Sequence, residues 1–214
     1  MDPALDLGVG TQELRGAEAA AFLRSRHGVG DRSDLGRISN QQTFMSALAR
    51  QTVSAGTLTN PAKVLRLADT AFKNMVLSDS LNDAATLARL ALAVNTVGLS
   101  NMVFVQFPVV DDPQDPARVL VSEGPAATLT AALQADEPVR LAPNSLGRSA
   151  VRDPDAPTAK PSAPASPSAT TPPASGNTTT PPATPRASAS AAELPDSVSG
   201  QTADTVTCAA KSEY

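Results

Sequence analysis

The sequence predicts an α/β protein, a layered αβα domain with a mixed central sheet that is incomplete at its N-terminal side, followed by a disordered tail. Three observations carry this. Residues 102–110, Met-Val-Phe-Val-Gln-Phe-Pro-Val-Val, form a β-branched and aromatic run too continuous to be half exposed, the pattern of a central or near-central strand. Before it lie stretches whose apolar residues recur at helical spacing, and from about residue 137 the composition turns to Pro, Ala, Ser and Thr. All five Phe and all four Met of the 214-residue chain precede residue 108, which places the core in the first part.

Leu5, Leu7 and Val9 alternate, as in a short half-buried strand, and a chain that begins almost on a strand reads as truncated. Thr11 can cap a brief helical turn, and residues 17–26 are Ala-rich and helical, with Leu14, Ala21 and Phe22 on one face. Gly28 and Gly30 break that helix. A second starts at Ser33 or Asp34 and runs to Ser54 with Gly56 as its stop; Ile38, Met45, Leu48, Ala49 and Val53 give it an apolar stripe. Asn60 before Pro61 is a strong third start, and Asn82-Asp83 begins a fourth helix that ends at Gly98. Pro108 cannot donate a ladder hydrogen bond, so pairing weakens there. Residues 111–116 form a turn, 118–122 return as a strand, and 125–135 make a last short helix.

The chemistry concentrates between the first two helices. Arg24, Arg26, Arg32 and Arg37 fall in and around a glycine-punctuated loop, and a guanidinium offers a planar fork of donors that matches phosphate oxygens. The plainer reading is a solvated basic loop pairing with Asp31 and Asp34. What favours a phosphate clamp is that Arg37 and Gln41 lie one turn apart at a helix start, where free N–H groups and the helix dipole also attract an anion. His27, the only histidine, has no acidic or nucleophilic partner beside it and reads as a loop residue. Asp111, Asp112 and Asp115 are the densest carboxylates and of the ligand type magnesium needs, but with two prolines among them they read as a polar turn; no metal ligand is assigned.

Leu14-Arg-Gly16-Ala-Glu-Ala-Ala-Ala-Phe22-Leu-Arg24-Ser-Arg26, followed by Ser33-Asp34-Leu-Gly36-Arg37-Ile-Ser-Asn40-Gln41-Gln42, resembles the signature of the LytR-CpsA-Psr family, the cell-envelope-related transcriptional attenuators. The likeness covers roughly residues 2–135, the C-terminal part of that family's domain. It departs at Asn40, where an arginine is common, and at Phe22, where a tyrosine is common. The resemblance implies a membrane-anchored, extracytoplasmic transferase of the cell envelope, moving a glycopolymer from a polyprenyl-diphosphate carrier to peptidoglycan. It implies that Arg24, Arg26, Arg32 and Arg37 grip the diphosphate, with Arg26 and Arg37 carrying catalysis, Gln41 donating a hydrogen bond and Asp34 orienting an arginine. Magnesium is implied as cofactor, with its ligands and the membrane anchor upstream of this stretch.

On this reading residues 1–136 are the C-terminal part of such a domain, 137–193 a Pro/Ala/Ser/Thr-rich disordered linker, and 194–214 a short tail of no assigned role, similar around Gly200 and Cys208 to the tails of actinobacterial members. A net charge of −4 argues against a general nucleic-acid surface, and no basic recognition helix supports the transcriptional role in the family's name. One cysteine, Cys208, excludes an internal disulfide. No run approaches the roughly 20 apolar residues that span a bilayer. The alternative to a transferase is a non-catalytic wall or regulatory protein that binds phosphorylated ligands.

Overall fold

Three of the described helices begin where a side-chain oxygen accepts from the first N–H groups. In the computed structural model, which describes residues 7–8, 10–25, 30–57, 60–76, 78–81, 83–156 and 191–210, Ser33 caps α2 (Asp34–Ser54) by accepting from Gly36 N at 2.9 Å. Asn60 Oδ1 accepts from Ala62 N at 3.0 Å ahead of α3 (Pro61–Asn74), and Asp83 Oδ2 accepts from Thr86 N at 2.8 Å ahead of α4 (Ala84–Val97). The Thr86 hydrogen bonds hold the Asp83 carboxyl below its usual range. The first helix, α1 (Gly16–Arg24), is shorter than expected, and no turn forms over residues 11–15, too few to offset the cost of nucleation. The expected strand at Leu5 to Val9 rests on residues 5 and 9, which lie outside the described residues, as does the linker over 157–190.

The chain is a mixed α/β structure, but its sheet differs from the expected one. Residues 102–110 make two strands, β1 (Val103–Val105) and β2 (Val109–Asp111), separated at Gln106 to Pro108, and these join different ladders. The reason is Pro108: its carbonyl turns to accept from Ser122 N at 3.1 Å while its nitrogen has nothing to donate. The strand β2 forms an antiparallel hairpin with β3 (Val119–Val121), and α5 (Glu123–Gln134) follows.

Beyond residue 136 the expectation of disorder gives way to structure in the described residues. Two strands, β4 (Val139–Arg140) and β5 (Ala150–Arg152), precede the linker; β6 (Ala192–Glu193), β7 (Gly200–Thr202) and β8 (Thr207–Ala209) follow it. The late strands pair with earlier ones, β7 antiparallel to β1, β8 antiparallel to β5 and β6 parallel to β4. The core moves with them: Leu194 at 1 % exposure and Val198 at 0 % pack with Leu129 of α5 against Val105, Val139 and Leu141. The supposed tail thus supplies the most deeply buried aliphatic side chains.

Helix α2 buries its polar face. Ser39, Asn40, Gln42, Thr43 and Ser46 are all buried; the C-terminal strands meet Thr43 and Ser46 with polar partners, while Ser39 Oγ and the Asn40 amide have none among the described residues. Gln201 Nε2 donates to Ser46 Oγ at 2.7 Å, the Thr207 hydroxyl donates to Gln201 Oε1 at 2.8 Å, and Thr43 Oγ1 lies 3.2 Å from it. At the far end Arg50 Nη1 donates to the carbonyls of Ala203 and Thr205 at 2.7 and 2.8 Å. Burial lowers the Arg50 pKa while Asp204 opposes the shift, and the guanidinium stays charged at neutral pH.

Hydrogen bonds from a charged donor contribute about 1.5–3 kcal/mol, so Arg50→Ala should lower unfolding stability by that order, read from urea denaturation. After proteolytic nicking within residues 157–190, the two fragments should co-elute on size exclusion in the wild type and separate in Arg50→Ala.

Candidate functional site

The loop before α2 is built around Asp31. Its Oδ1 accepts from Ser33 N at 3.0 Å and from the Ser33 hydroxyl at 2.5 Å, and that hydroxyl in turn accepts from Gly36 N, so one carboxylate organises the cap. Gly36 is required by close approach: a Cβ there would lie 2.3 Å from Asp31 Oδ1 and 2.5 Å from Ser149 Oγ. Gly30 adds a left-handed backbone, φ 66°, and its Cβ would fall 1.9 Å from Ser149 Oγ. Its N–H donates to Ala210 O at 2.8 Å, tying the loop to the end of the C-terminal segment.

Within this frame the expected site residues take distinct places. Arg37 pairs with Asp34 at 3.0 Å across one turn, which fits an acidic residue orienting an arginine; its buried Nε has no hydrogen-bond partner among the described residues. Arg32 is exposed and sits in the left-handed region at φ 63°, a backbone that favours glycine. Arg24 is exposed in the last turn of α1. Gln41 Nε2 donates to Leu23 O at 3.1 Å, so it fixes the helix bearing Arg37 against the end of the helix bearing Arg24. Arg26 and His27 lie outside the described residues. Asn40 is 1 % exposed with its amide unpartnered among the described residues, so it faces the interior.

Sequence reasoning missed the loop over residues 143–149. Ser149 Oγ accepts from Asp31 N at 3.4 Å, and Arg148 reaches Asp111 Oδ1 at 2.6 Å and Asp31 Oδ2 at 3.9 Å. The available signal was Leu141, Leu146 and Val151 interleaved with Arg140, Arg148 and Arg152, bulkier and more basic than the tract that follows.

Magnesium finds no obvious seat here. Among the described residues no three His, Cys, Asp or Glu side chains gather. Asp111 holds Arg148, Asp112 Oδ1 accepts from Gln114 N at 2.8 Å, and Asp115 pairs with Arg118 at 3.0 Å, the pattern of a polar turn. Cys208, on β8, has its thiol pKa raised by burial and then by Asp153, so it stays protonated and a poor nucleophile.

On its other flank α2 lines an open apolar cavity of about 410 Å³ with α3, α4 and β1; Met45, Leu48, Val64, Leu90, Val94 and Phe104 face it. Leu48, Leu67 and Leu90 remain roughly half exposed there. No helix among the described residues is long and apolar enough to cross a membrane.

The sequence and this arrangement can now be set beside known proteins. Residues 1–135 match the model of the LytR_cpsA_psr family. The chain belongs to that family. Over 100 residues it is 36 % identical to the cell wall biosynthesis protein LcpA of Corynebacterium glutamicum, covering 47 % of this chain and 18 % of that protein. Over 90 residues it is 36 % identical to the probable cell wall biosynthesis protein LcpB of the same organism, covering 42 % of this chain and 21 % of that one. The chain therefore spans about one fifth of each of these relatives. No solved structure matches. Asp31, Asp34, Arg37 and Gln41 fall within the family match, whereas Arg148, Ser149 and the whole C-terminal segment fall outside it.

Gly30→Ala should destabilise by about 2–3 kcal/mol, combining a left-handed penalty of about 1–2 kcal/mol with displacement of Ser149. Urea titration of the variant against the wild type checks this.

Proposed function

We propose that this chain serves cell-envelope biogenesis as the carrier-binding part of a transferase that moves a polyprenyl-diphosphate-linked glycopolymer onto peptidoglycan. One observation carries the reading: α2 presents a charged start and an apolar flank. Arg37 stands at its first turn and Met45 and Leu48 open on the cavity, roughly 12–16 Å further along at 1.5 Å per residue. A diphosphate joined to an isoprenoid chain has this same succession of polar head and apolar tail. Arg24, Arg26, Arg32 and Arg37 would neutralise the diphosphate, and the cavity would take the first isoprene units.

In the transfer, a hydroxyl of the peptidoglycan acceptor bonds to the phosphorus that carries the polymer, and the bond from that phosphorus to the bridging oxygen breaks. Polyprenyl phosphate leaves with the electron pair, and the proton of the acceptor hydroxyl passes to water or to the leaving phosphate. The clamp arginines would stabilise that developing charge.

The binding-only alternative has its own support. Near the clamp, Asp31 is occupied by Ser33 and faces Arg148, and Asp34 is paired with Arg37, so neither carboxylate stands ready to take a proton from an acceptor. Transfer of polymer from lipid diphosphate to peptidoglycan oligosaccharide, measured with magnesium present, separates the two readings.

For the clamp, Arg37→Ala should weaken polyprenyl-diphosphate binding by about 1.5–3 kcal/mol, roughly 10- to 150-fold, with lysine recovering only part. Titration calorimetry checks this; wild-type affinity in Arg37→Ala would remove the assignment. Leu90→Asp, in the cavity wall, should weaken the lipid and leave inorganic pyrophosphate binding unchanged.

A further inference from the structure

Within residues 30–37 two arginines, Arg32 and Arg37, are matched by two aspartates, Asp31 and Asp34, so this loop has no net positive charge of its own. Arg37 already spends part of its field on Asp34 at 3.0 Å. A diphosphate settling at the start of α2 therefore needs positive charge brought from another element.

Arg148 is placed to bring it. The loop that carries it is seated on the first turn of α2: Asp31 N donates to Ser149 Oγ, and Gly36 is kept free of a Cβ by Asp31 Oδ1 and Ser149 Oγ together. Gly147 is similarly pressed on the next turn, where a Cβ would lie 2.5 Å from Ser39 Oγ. The loop is held from behind, since Ala210 N donates to Ser149 O at 2.8 Å and β5 is zipped to β8. The guanidinium lies 3.9 Å from Asp31 Oδ2, whose other oxygen accepts from Ser33 N, so the Asp31 carboxylate stands between it and the helix start. Its side chain is 41 % exposed, and its closest partner, Asp111 at 2.6 Å, belongs to an exposed hairpin edge. A charge held by two part-exposed carboxylates can be re-aimed at modest cost, because such pairs contribute little in water.

Resting on the clamp reading above, we propose that Arg148 is a further phosphate-contacting residue, supplied from outside the family-matched stretch and kept beside the helix start by Asp31 and Asp111. A diphosphate oxygen takes over the guanidinium donors that now face Asp111, while Asp31 keeps its place in the cap. The segment following residue 136 then contributes directly to ligand binding and not only to the fold.

The test uses the full chain with two probes, a polyprenyl diphosphate in detergent micelles and inorganic pyrophosphate, titrated calorimetrically. Arg148→Ala should weaken both by about 10-fold, the lower range for a charged hydrogen bond, and Arg148→Lys should recover only part. Asp111→Asn removes the same ion pair without removing the guanidinium. It should lower thermal stability no more than Arg148→Ala does, which also loses the Asp31 contact, and leave both affinities at or above wild type. Equal weakening by Arg148→Ala and Asp111→Asn, with Arg37→Ala still impaired, would make Arg148 a brace only and overturn the proposal. A loss in Arg148→Ala confined to the lipid probe would overturn the phosphate contact. Wild-type affinity in Arg37→Ala would instead bring down the clamp reading itself.

Discussion

The last described segment of the chain meets Thr43, Ser46 and Arg50 of α2 with hydrogen-bonding partners and so covers the C-terminal part of a buried polar face whose earlier members, Ser39 and Asn40, have no partner among the described residues. A buried donor or acceptor left unpaired costs about 1–3 kcal/mol, and Gln201, Thr207 and Arg50 remove several such costs at once. This seam is stricter than an apolar contact. A one-residue slip of β7 would turn Gln201 away from Ser46 and set a neighbour without an amide in its place. Once the seam fixes β7 and β8, β1 and β5 acquire their partners, Ser149 is pressed onto the cap of α2, and the apolar flank of α2 is left facing the cavity.

This explains why the family match and the folded unit do not coincide. Residues 1–135 carry the matched signature, yet the most buried aliphatic residues, Leu194 and Val198, lie far beyond it. A segment that makes its contacts through short strands and backbone carbonyls can retain them through much change of sequence. The arginine-bearing loop needs particular side chains, and it lies inside the matched stretch.

What was legible in the sequence was local. Ser33, Asn60 and Asp83 cap helices through atoms two or three residues away, and Arg37 and Asp34 meet across one turn, so spacing alone finds them. The ladders of two or three residues after residue 136 show no period to read, and what makes them strands is a partner far along the chain. Ser39, Asn40, Thr43 and Ser46 have the look of a solvated face, yet they lie on the buried side of α2. Arg148 was hidden for the same reason, since nothing within ten residues of it identifies its neighbour Asp31.

The seam also sets a clock. Ser46 and Gln201 are 155 residues apart and Thr43 and Thr207 are 164, so the ribosome must deliver nearly all of this chain before either contact can form. Until then α2, α3 and α4 have their local helical contacts but no cover for the polar face of α2. Closing so long a loop is slow compared with helix formation, and half-built intermediates with exposed apolar surface tend to associate. A cell making this protein faces an interval in which the helices exist and the strand that locks them does not, a stage suited to a holding chaperone.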